Sequence, residues 1–243
     1  MTDTTLVPTI EDTTTTEPIA VGMVAFDLYR DIHKGIRTEL FAVSADAGRL
    51  DPSDPTGRRA LAAQVHGVID LLVSHADHED AHVQPAIERH LPDLAEVISG
   101  DHLRLEGRMD RLGEIADTLV HAAGHERRPL THHLYLELST FTGTYLLHQD
   151  VEERVVMPAL EAAIGVPDAI RIHEAIIASI PPEEMAQSLA VMLPAMNVDD
   201  RAEMLGGMRA GAPPEVFAGV WSLAGSLLAP SDHAALARRL DIS

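Results

Sequence analysis

Histidine and glutamate recur four residues apart in this chain, first as His75 and Glu79 and later as His148 and Glu152. Residues at this spacing lie on one face of a helix, so both side chains can reach the same metal ion. Both pairs open a shared pattern, H-x-x-x-E-[DE]-x-x-x-x-P, which spans residues 75–85 and 148–158. The repeated pattern predicts a metal site whose ligands are nitrogen and oxygen atoms.

Three further residues complete the candidate ligand set: His33, His102 and Glu106. His102 and Glu106 repeat the four-residue spacing, although either Leu105 or Glu106 can be the inward-facing residue of that turn. In an up-and-down helical bundle, side chains lie at one level when they are equally distant from the loops that join their helices. By this measure the candidates on all four predicted helices fall within about one helical turn of a common level.

A buried layer of these side chains would be unstable without a metal, because several ionised groups would lack partners. Four histidines with two or three carboxylates exceed the needs of one tetrahedral zinc ion and suit two ions of the iron or manganese type. Residues 78–82 also match the zinc-protease motif H-E-x-x-H, with Glu79 as the base. We favour the dinuclear site because the repeated pattern is longer than this pentapeptide. A ferritin-like site is disfavoured because it needs Glu-x-x-His on two helices, and only Glu79 and His82 supply it.

The composition favours a helical and soluble protein. Of 243 residues, 46% are hydrophobic and only 3% aromatic, so the core must be filled by the aliphatic residues and Met typical of helix packing. The 38 acidic and 18 basic side chains give a net charge of −20, which disfavours binding to nucleic acid or to anionic membranes. Without cysteine, the chain has no disulfide, zinc–thiolate or iron–sulfur site. The lack of a long apolar run or leader-like segment predicts a cytoplasmic location.

The periodicity of the apolar residues, interrupted by clusters of Pro, Gly and Asp, predicts four long helices. They span approximately residues 20–48, 56–90, 92–123 and 129–164. Apolar residues at steps of three and four form an inward stripe, as in helices that cross at a shallow angle. The predicted fold is all-α, with an antiparallel up-and-down four-helix bundle over residues 20–166. Residues 1–19 are Thr-rich and are predicted to be a disordered tail.

The C-terminal third contains an internal duplication. Residues 181–208 align without gaps on residues 213–240, and both copies begin with Pro-Pro-Glu. Each copy is predicted to be a helical hairpin. We therefore expect residues 168–243 to form a helical appendage without metal ligands, which serves in docking or in forming a homodimer.

The order and spacing of these residues resemble the hemerythrin-like HHE cation-binding family over residues 22–164. The resemblance implies a non-haem di-iron site inside the bundle, with Glu79 and Glu152 bridging two iron ions. The remaining ligands would be His33, His75, His102 and His148. The reversible oxygen carriers of the family have a histidine where this chain has Glu106, and an aspartate where it has Glu153 beside Glu152. An added carboxylate favours the ferric state, so simple oxygen carriage is not expected.

The resemblance implies a protein that binds or turns over a small oxidant, which is O2, H2O2 or NO. Two alternatives stay open: a di-iron oxygenase or oxidase acting on a small organic substrate, and an iron storage or sensing protein whose C-terminal hairpins bind a partner. Tyr29 precedes His33 by one helical turn and Tyr145 precedes His148 by one turn. Together with His82, these tyrosines are candidates for proton transfer beside the metal ions, although packing is the simpler role for each tyrosine.

Overall fold

The structure is a computed structural model that describes residues 24–242. The predicted tail at residues 1–19 lies outside this range. The described residues form helices joined by short loops and contain no β-strand, so the predicted all-α class is confirmed. None of the helices within residues 24–242 has the length and apolar character needed to cross a bilayer.

Four helical rods form the bundle. The first rod is α1 (Arg30–Arg49) and the third is α4 (Pro92–His121). The second contains α2 (Pro55–His78), a π-helical turn (Glu79–Val83) and α3 (Gln84–His90). The fourth contains α5 (Arg127–Val151), a second π-helical turn (Glu152–Val156) and α6 (Met157–Ile164). Because α1 and α4 each pack against both α2 and α5, the rods form the predicted four-helix bundle, which is confirmed.

The first helix begins later than the periodicity predicts. It starts at Arg30, because the carboxylate of Asp27 accepts hydrogen bonds from the backbone N–H groups of Tyr29 at 2.9 Å and Arg30 at 3.1 Å. The carboxylate of Glu161 in α6 also accepts a hydrogen bond from the backbone N–H of Phe26 at 2.9 Å. The helix predicted from residue 20 is therefore wrong for residues 24–29. This segment is not helical, and its backbone is hydrogen-bonded to the fourth rod at Phe26.

The two π-helical turns follow from the proline that ends each copy of the repeated pattern. Pro85 and Pro158 lack an N–H group, and a proline ring clashes with the carbonyl four residues earlier in a regular α-helix. The wider turn relieves this clash, and the N–H of Gln84 bonds to the carbonyl of Glu79. The second turn has the same arrangement and begins at Glu152. Each π-helical turn therefore starts at a predicted glutamate ligand.

Two apolar clusters fill the bundle and are separated along each rod by a layer of polar side chains. The larger cluster includes Leu72, Met109 and Phe141, all at most 5% exposed. The smaller cluster includes Val83 and Leu160. On the second rod, for example, the chain passes from the larger cluster at Leu72 to the smaller one at Val83. The residues between the two clusters carry the predicted metal ligands.

Five helices follow the bundle. They are α7 (Val166–Ser179), α8 (Pro182–Ala195), α9 (Val198–Gly211), α10 (Pro214–Leu227) and α11 (Pro230–Arg239). Helix α7 packs on α6 and on the first π-helical turn, so the boundary predicted at residue 168 falls within a helix that covers the bundle. Helices α8–α11, called the C-terminal module below, enclose an apolar core of their own. Helices α8 and α9 lie in the first copy of the duplication and α10 and α11 in the second, but α8 packs on α10 and α9 on α11. Helix α8 also packs on α1.

Candidate metal centre

Six of the seven predicted ligands meet in the polar layer of the bundle. They are His33, His75, Glu79, His102, His148 and Glu152. Their ligand atoms form two groups, and within each group all atoms lie within 4.8 Å of one another. The α1–α2 group contains the histidines of the first two rods, the α4–α5 group contains those of the last two, and both groups contain both glutamates.

Glu79 spans the two groups through its two carboxylate oxygens. Its Oε1 lies 3.1 Å from Nε2 of His75 in the α1–α2 group. Its Oε2 lies 3.5 Å from Nε2 of His102 in the α4–α5 group. The carboxylate therefore presents one oxygen to each group, as a bridging ligand does.

Glu152 has the same arrangement from the opposite side of the bundle. Its Oε1 lies 3.2 Å from Nε2 of His148, and its Oε2 lies 3.5 Å from Nε2 of His33. Two carboxylates thus run in parallel between the two pairs of histidines. This donor set can hold a cation in either group, or one cation in each with both carboxylates shared.

The carboxylates of this layer are buried and receive no hydrogen bond within the described residues. Glu152 is 1% exposed and Glu79 is 7% exposed. All four of their carboxylate oxygens, and Nε2 of His102, have no hydrogen-bond partner among residues 24–242. An ionised group in this position costs several kcal/mol unless a cation or a donor compensates it. The residues present therefore fit bound cations, because cations satisfy these atoms simultaneously.

The electrostatics of the layer show the same need for positive charge. Burial raises the pKa of Glu79 well above its usual value, and the nearby charge of Glu152 raises it further. Burial lowers the pKa of His75, with a further contribution from the neighbouring ring of His33. A neutral imidazole keeps a nitrogen lone pair available for a cation. Burial therefore favours the neutral, lone-pair-bearing form of His75 and disfavours the charge of Glu79 as long as no cation compensates it.

Each repeated pattern contributes a second acidic residue, which lies outside the polar layer and contacts the outer ring nitrogen of a histidine in the layer. Oδ1 of Asp80 lies 2.9 Å from Nδ1 of His102, and Oε1 of Glu153 lies 2.9 Å from Nδ1 of His33. Such carboxylates fix the orientation and tautomer of a ligating histidine and direct its other nitrogen toward the metal. Sequence reasoning had treated Glu153 only as an added carboxylate of the site and had given Asp80 no role. The position marked [DE] in the pattern was the available signal.

Glu153 is itself held by a guanidinium. Arg37 donates two hydrogen bonds to its carboxylate, at 2.8 and 3.0 Å. Burial raises the pKa of Glu153, but the hydrogen bonds from His33 and Arg37 outweigh burial and hold that pKa at about 2. Glu153 therefore stays ionised and oriented on His33.

Glu106 is not part of the cluster. It is exposed on α4, whereas Leu105 is 3% exposed and faces the core. Leu105 lies one turn from Met109 on the same buried face, and this spacing directs the adjacent Glu106 side chain to solvent. The prediction that Glu106 belongs to the metal site therefore has no support in the geometry.

His82 also lies outside the cluster. The π-helical turn inserts an extra residue after Glu79, and His82 points to the outer surface, where its Nε2 lies 3.1 Å from Oγ of Ser179. His78 contacts Glu184 of α8 at 2.9 Å. The two histidines of the H-E-x-x-H motif therefore do not converge on a shared site with Glu79, as a zinc protease requires.

The two tyrosines flank the centre at opposite ends. Tyr29 and Tyr145 are each 3% exposed, with ring centroids 5.2 Å from the ring of His33 and 5.6 Å from the ring of His148. Burial raises the pKa of both phenols well above the usual value, and the charges of Glu79 add to this effect. Both phenols therefore stay protonated beside the cluster at neutral pH.

Comparison with known proteins assigns this bundle to a family. A family model described as the hemerythrin HHE cation binding domain matches residues 24–160, which is more than half of the chain. A search of curated proteins gave no match, and a search of solved structures gave none either. The matched segment contains all six clustered side chains and agrees with the resemblance found over residues 22–164. The chain belongs to the hemerythrin HHE cation-binding domain family.

Proposed function

We propose that the chain is a non-haem di-iron protein that binds or turns over a small oxidant, namely O2, H2O2 or NO. The observation that carries this proposal is the pair of overlapping ligand groups that share Glu79 and Glu152. Four imidazoles and two carboxylates are donors typical of iron and manganese sites. Iron ions in the two groups would supply electrons and Lewis acidity to the bound oxidant.

The side chains around the cluster have complementary roles in this proposal. The four histidines and two glutamates hold the cations, and Asp80 and Glu153 keep two of the histidines oriented. The phenols of Tyr29 and Tyr145 stay protonated and can donate a hydrogen bond to a bound ligand. The apolar clusters on both sides keep bulk water away from the layer.

The surroundings of the cluster favour a small ligand over a bulky organic substrate. Apolar residues close the layer on both sides, with Phe141 and Leu72 on one side and Val156 and Met157 on the other. Two surface clefts, of about 510 and 270 Å³, are lined by residues other than the six clustered ligands. A diatomic molecule or peroxide needs much less space than a substrate pocket of typical size.

Reactivity of the iron-loaded protein tests the proposal. Protein loaded with Fe(II) under anaerobic conditions is mixed in turn with O2, H2O2 and NO, and the absorbance change is followed. We expect rapid reaction with at least one oxidant. A double variant, His75→Ala with His148→Ala, removes one histidine from each group and should lose both bound iron and the reaction.

His66→Ala is the matched control, because His66 is a half-exposed histidine that pairs with Asp117 away from the cluster at 2.9 Å. It should keep the iron content and the reactivity of the wild type. Unchanged iron content and unchanged reactivity in the double variant would overturn the proposal.

A further inference from the structure

The C-terminal module contacts α1 directly beside a clustered histidine. Lys34 follows His33 and forms an ion pair with Asp200 of α9. At Gly35, α1 and α8 approach so closely that a Cβ atom would lie 2.7 Å from Cγ1 of Val191 and 3.3 Å from its carbonyl oxygen. The C-terminal module therefore packs against the turn of α1 that carries His33.

A second contact lies beside the ligands of the second rod. Oε1 of Glu184, in the first turn of α8, accepts a hydrogen bond from Oγ of Ser74 at 2.5 Å and lies 2.9 Å from Nε2 of His78. Ser74 directly precedes His75, and His78 directly precedes Glu79. The carboxylate of Glu184 thus contacts the residues that directly precede both ligands of the second rod.

Both contacts support the same half of the centre. His33 and His75 belong to the α1–α2 group alone, and Glu79 is shared by both groups. Each of the three has an immediate neighbour in the chain that is held by α8 or α9. A shift of α8 would move the backbone of these ligand-bearing turns, and the cation site needs its ligands held within a fraction of an ångström. The α1–α2 group is therefore the half of the centre that responds to docking.

We propose that the C-terminal module positions the α1–α2 group, with Gly35 and Glu184 as positioning residues, so that module docking and cation binding are coupled. Coupling of this kind is reciprocal: the factor by which docking strengthens cation binding equals the factor by which cation binding strengthens docking. The proposal rests on the cation centre of the proposed function, but it does not depend on which oxidant reacts there.

Hydrogen exchange of the backbone amides in α8 tests the reciprocal effect. The full chain is compared in its metal-free and Fe(II)-loaded forms. We expect Fe(II) to slow exchange in α8, because the loaded centre favours the docked module. A purely structural contact would give the same exchange in both forms, and this result would overturn the proposal.

A substitution at Gly35 tests the effect in the other direction. Gly35→Ala places a methyl group against Val191, which pushes α8 away from α1 without weakening α1, because Ala favours the helix more than Gly does. We expect release of Fe(II) to a colorimetric chelator to be about three- to tenfold faster. Gly67→Ala is the matched control, because a Cβ atom at Gly67 in α2 meets nothing within 4 Å. It should leave the release rate unchanged.

A second pair of variants tests the contact if Gly35→Ala does not fold. Glu184→Ala removes the carboxylate that bridges Ser74 and His78, and we expect a smaller, about two- to fivefold, increase in the rate of Fe(II) release, as suits a partly exposed contact. Glu183→Ala, at the exposed neighbouring position, should have no effect.

The outcomes separate this proposal from the proposed function. Cation binding with faster release in Gly35→Ala or Glu184→Ala, but without reaction with any oxidant, would support the coupling and overturn the function. The coupling alone would be overturned if the chain binds cations, neither Gly35→Ala nor Glu184→Ala changes the rate of Fe(II) release, and Fe(II) does not change hydrogen exchange in α8. A chain that binds no cation would overturn both.

Discussion

Glu79 and Glu152 differ from most acidic side chains of this protein because they are buried beside histidine nitrogens without a hydrogen bond from any described residue. Their oxygens face histidine nitrogens of both ligand groups, so the charge that folding leaves uncompensated is the charge that a pair of cations would neutralise. The sequence predicted both residues, because the repeated pattern set each of them four positions after a histidine. It could not place Glu106, because the helical pattern near Leu105 allowed two inward residues and only packing selects between them.

We predict that Glu153→Ala weakens cation binding about 10- to 100-fold, because His33 loses the acceptor that fixes its orientation. A competitive titration against a chelator measures the dissociation constant. Asp150→Ala is the control, because Asp150 forms an exposed ion pair at 2.6 Å with Arg154 on the same rod. A dissociation constant for Glu153→Ala equal to that of the control would show that the contact does not support the site.

The second π-helical turn allows the two helices of the fourth rod to face different parts of the bundle interior. His148 and Tyr145 set the rotation of α5 toward the polar layer, and Met157 and Leu160 set the rotation of α6 toward the smaller apolar cluster. The extra residue of the π turn allows both. The sequence predicted each rod as an uninterrupted helix. The proline was visible, but whether it kinks, ends or widens a helix depends on packing that a single sequence does not specify.

We predict that Pro158→Ala stabilises the metal-free protein and lowers its cation content. Alanine restores a backbone N–H group and has no ring that clashes, so it allows regular α-helical bonding across the turn that Glu152 begins. Pro92→Ala is the control, because Pro92 is the first residue of α4, where proline is well tolerated. Thermal unfolding and metal analysis of both variants measure the two effects. A full cation content in Pro158→Ala would contradict the role assigned to the π turn.

The start of α1 shows a different limit of sequence reasoning. The apolar periodicity extends the first helix toward residue 20, but Asp27 and Glu161 bind the backbone before Arg30. Asp27 is a local signal that a capping argument can find. Glu161 lies in α6, at the far end of the bundle sequence, so its contact becomes apparent only when the rods are packed.

The bundle and the additional C-terminal helices followed from periodicity, because both depend on local helical patterns. The predicted pairing of helices within each copy of the duplication did not, because α8 packs on α10 and α9 on α11. The docking of the module did not, because it joins residues as distant in sequence as Lys34 and Asp200. Neither partner is marked by an unusual residue type or spacing. The contact between the bundle and the C-terminal module is therefore visible only in the folded chain.

We predict that removal of metal lowers the stability of the whole chain. A ligand present at a hundredfold excess over its dissociation constant stabilises the folded state by about 2.7 kcal/mol, which corresponds to roughly 5–10 °C in Tm for a protein of this size. Calorimetry of the iron-loaded and chelator-treated protein measures this difference. Equal Tm values would show that the buried carboxylates do not depend on a cation.

We propose that Glu79 and Glu152 hold two iron ions between the histidine pairs of the bundle. This is tested by the metal content per chain, measured by mass spectrometry on protein expressed with iron and purified without a histidine tag. We predict about two iron ions per chain. One zinc ion per chain, with no iron, would contradict the di-iron site and would favour the H-E-x-x-H motif at residues 78–82.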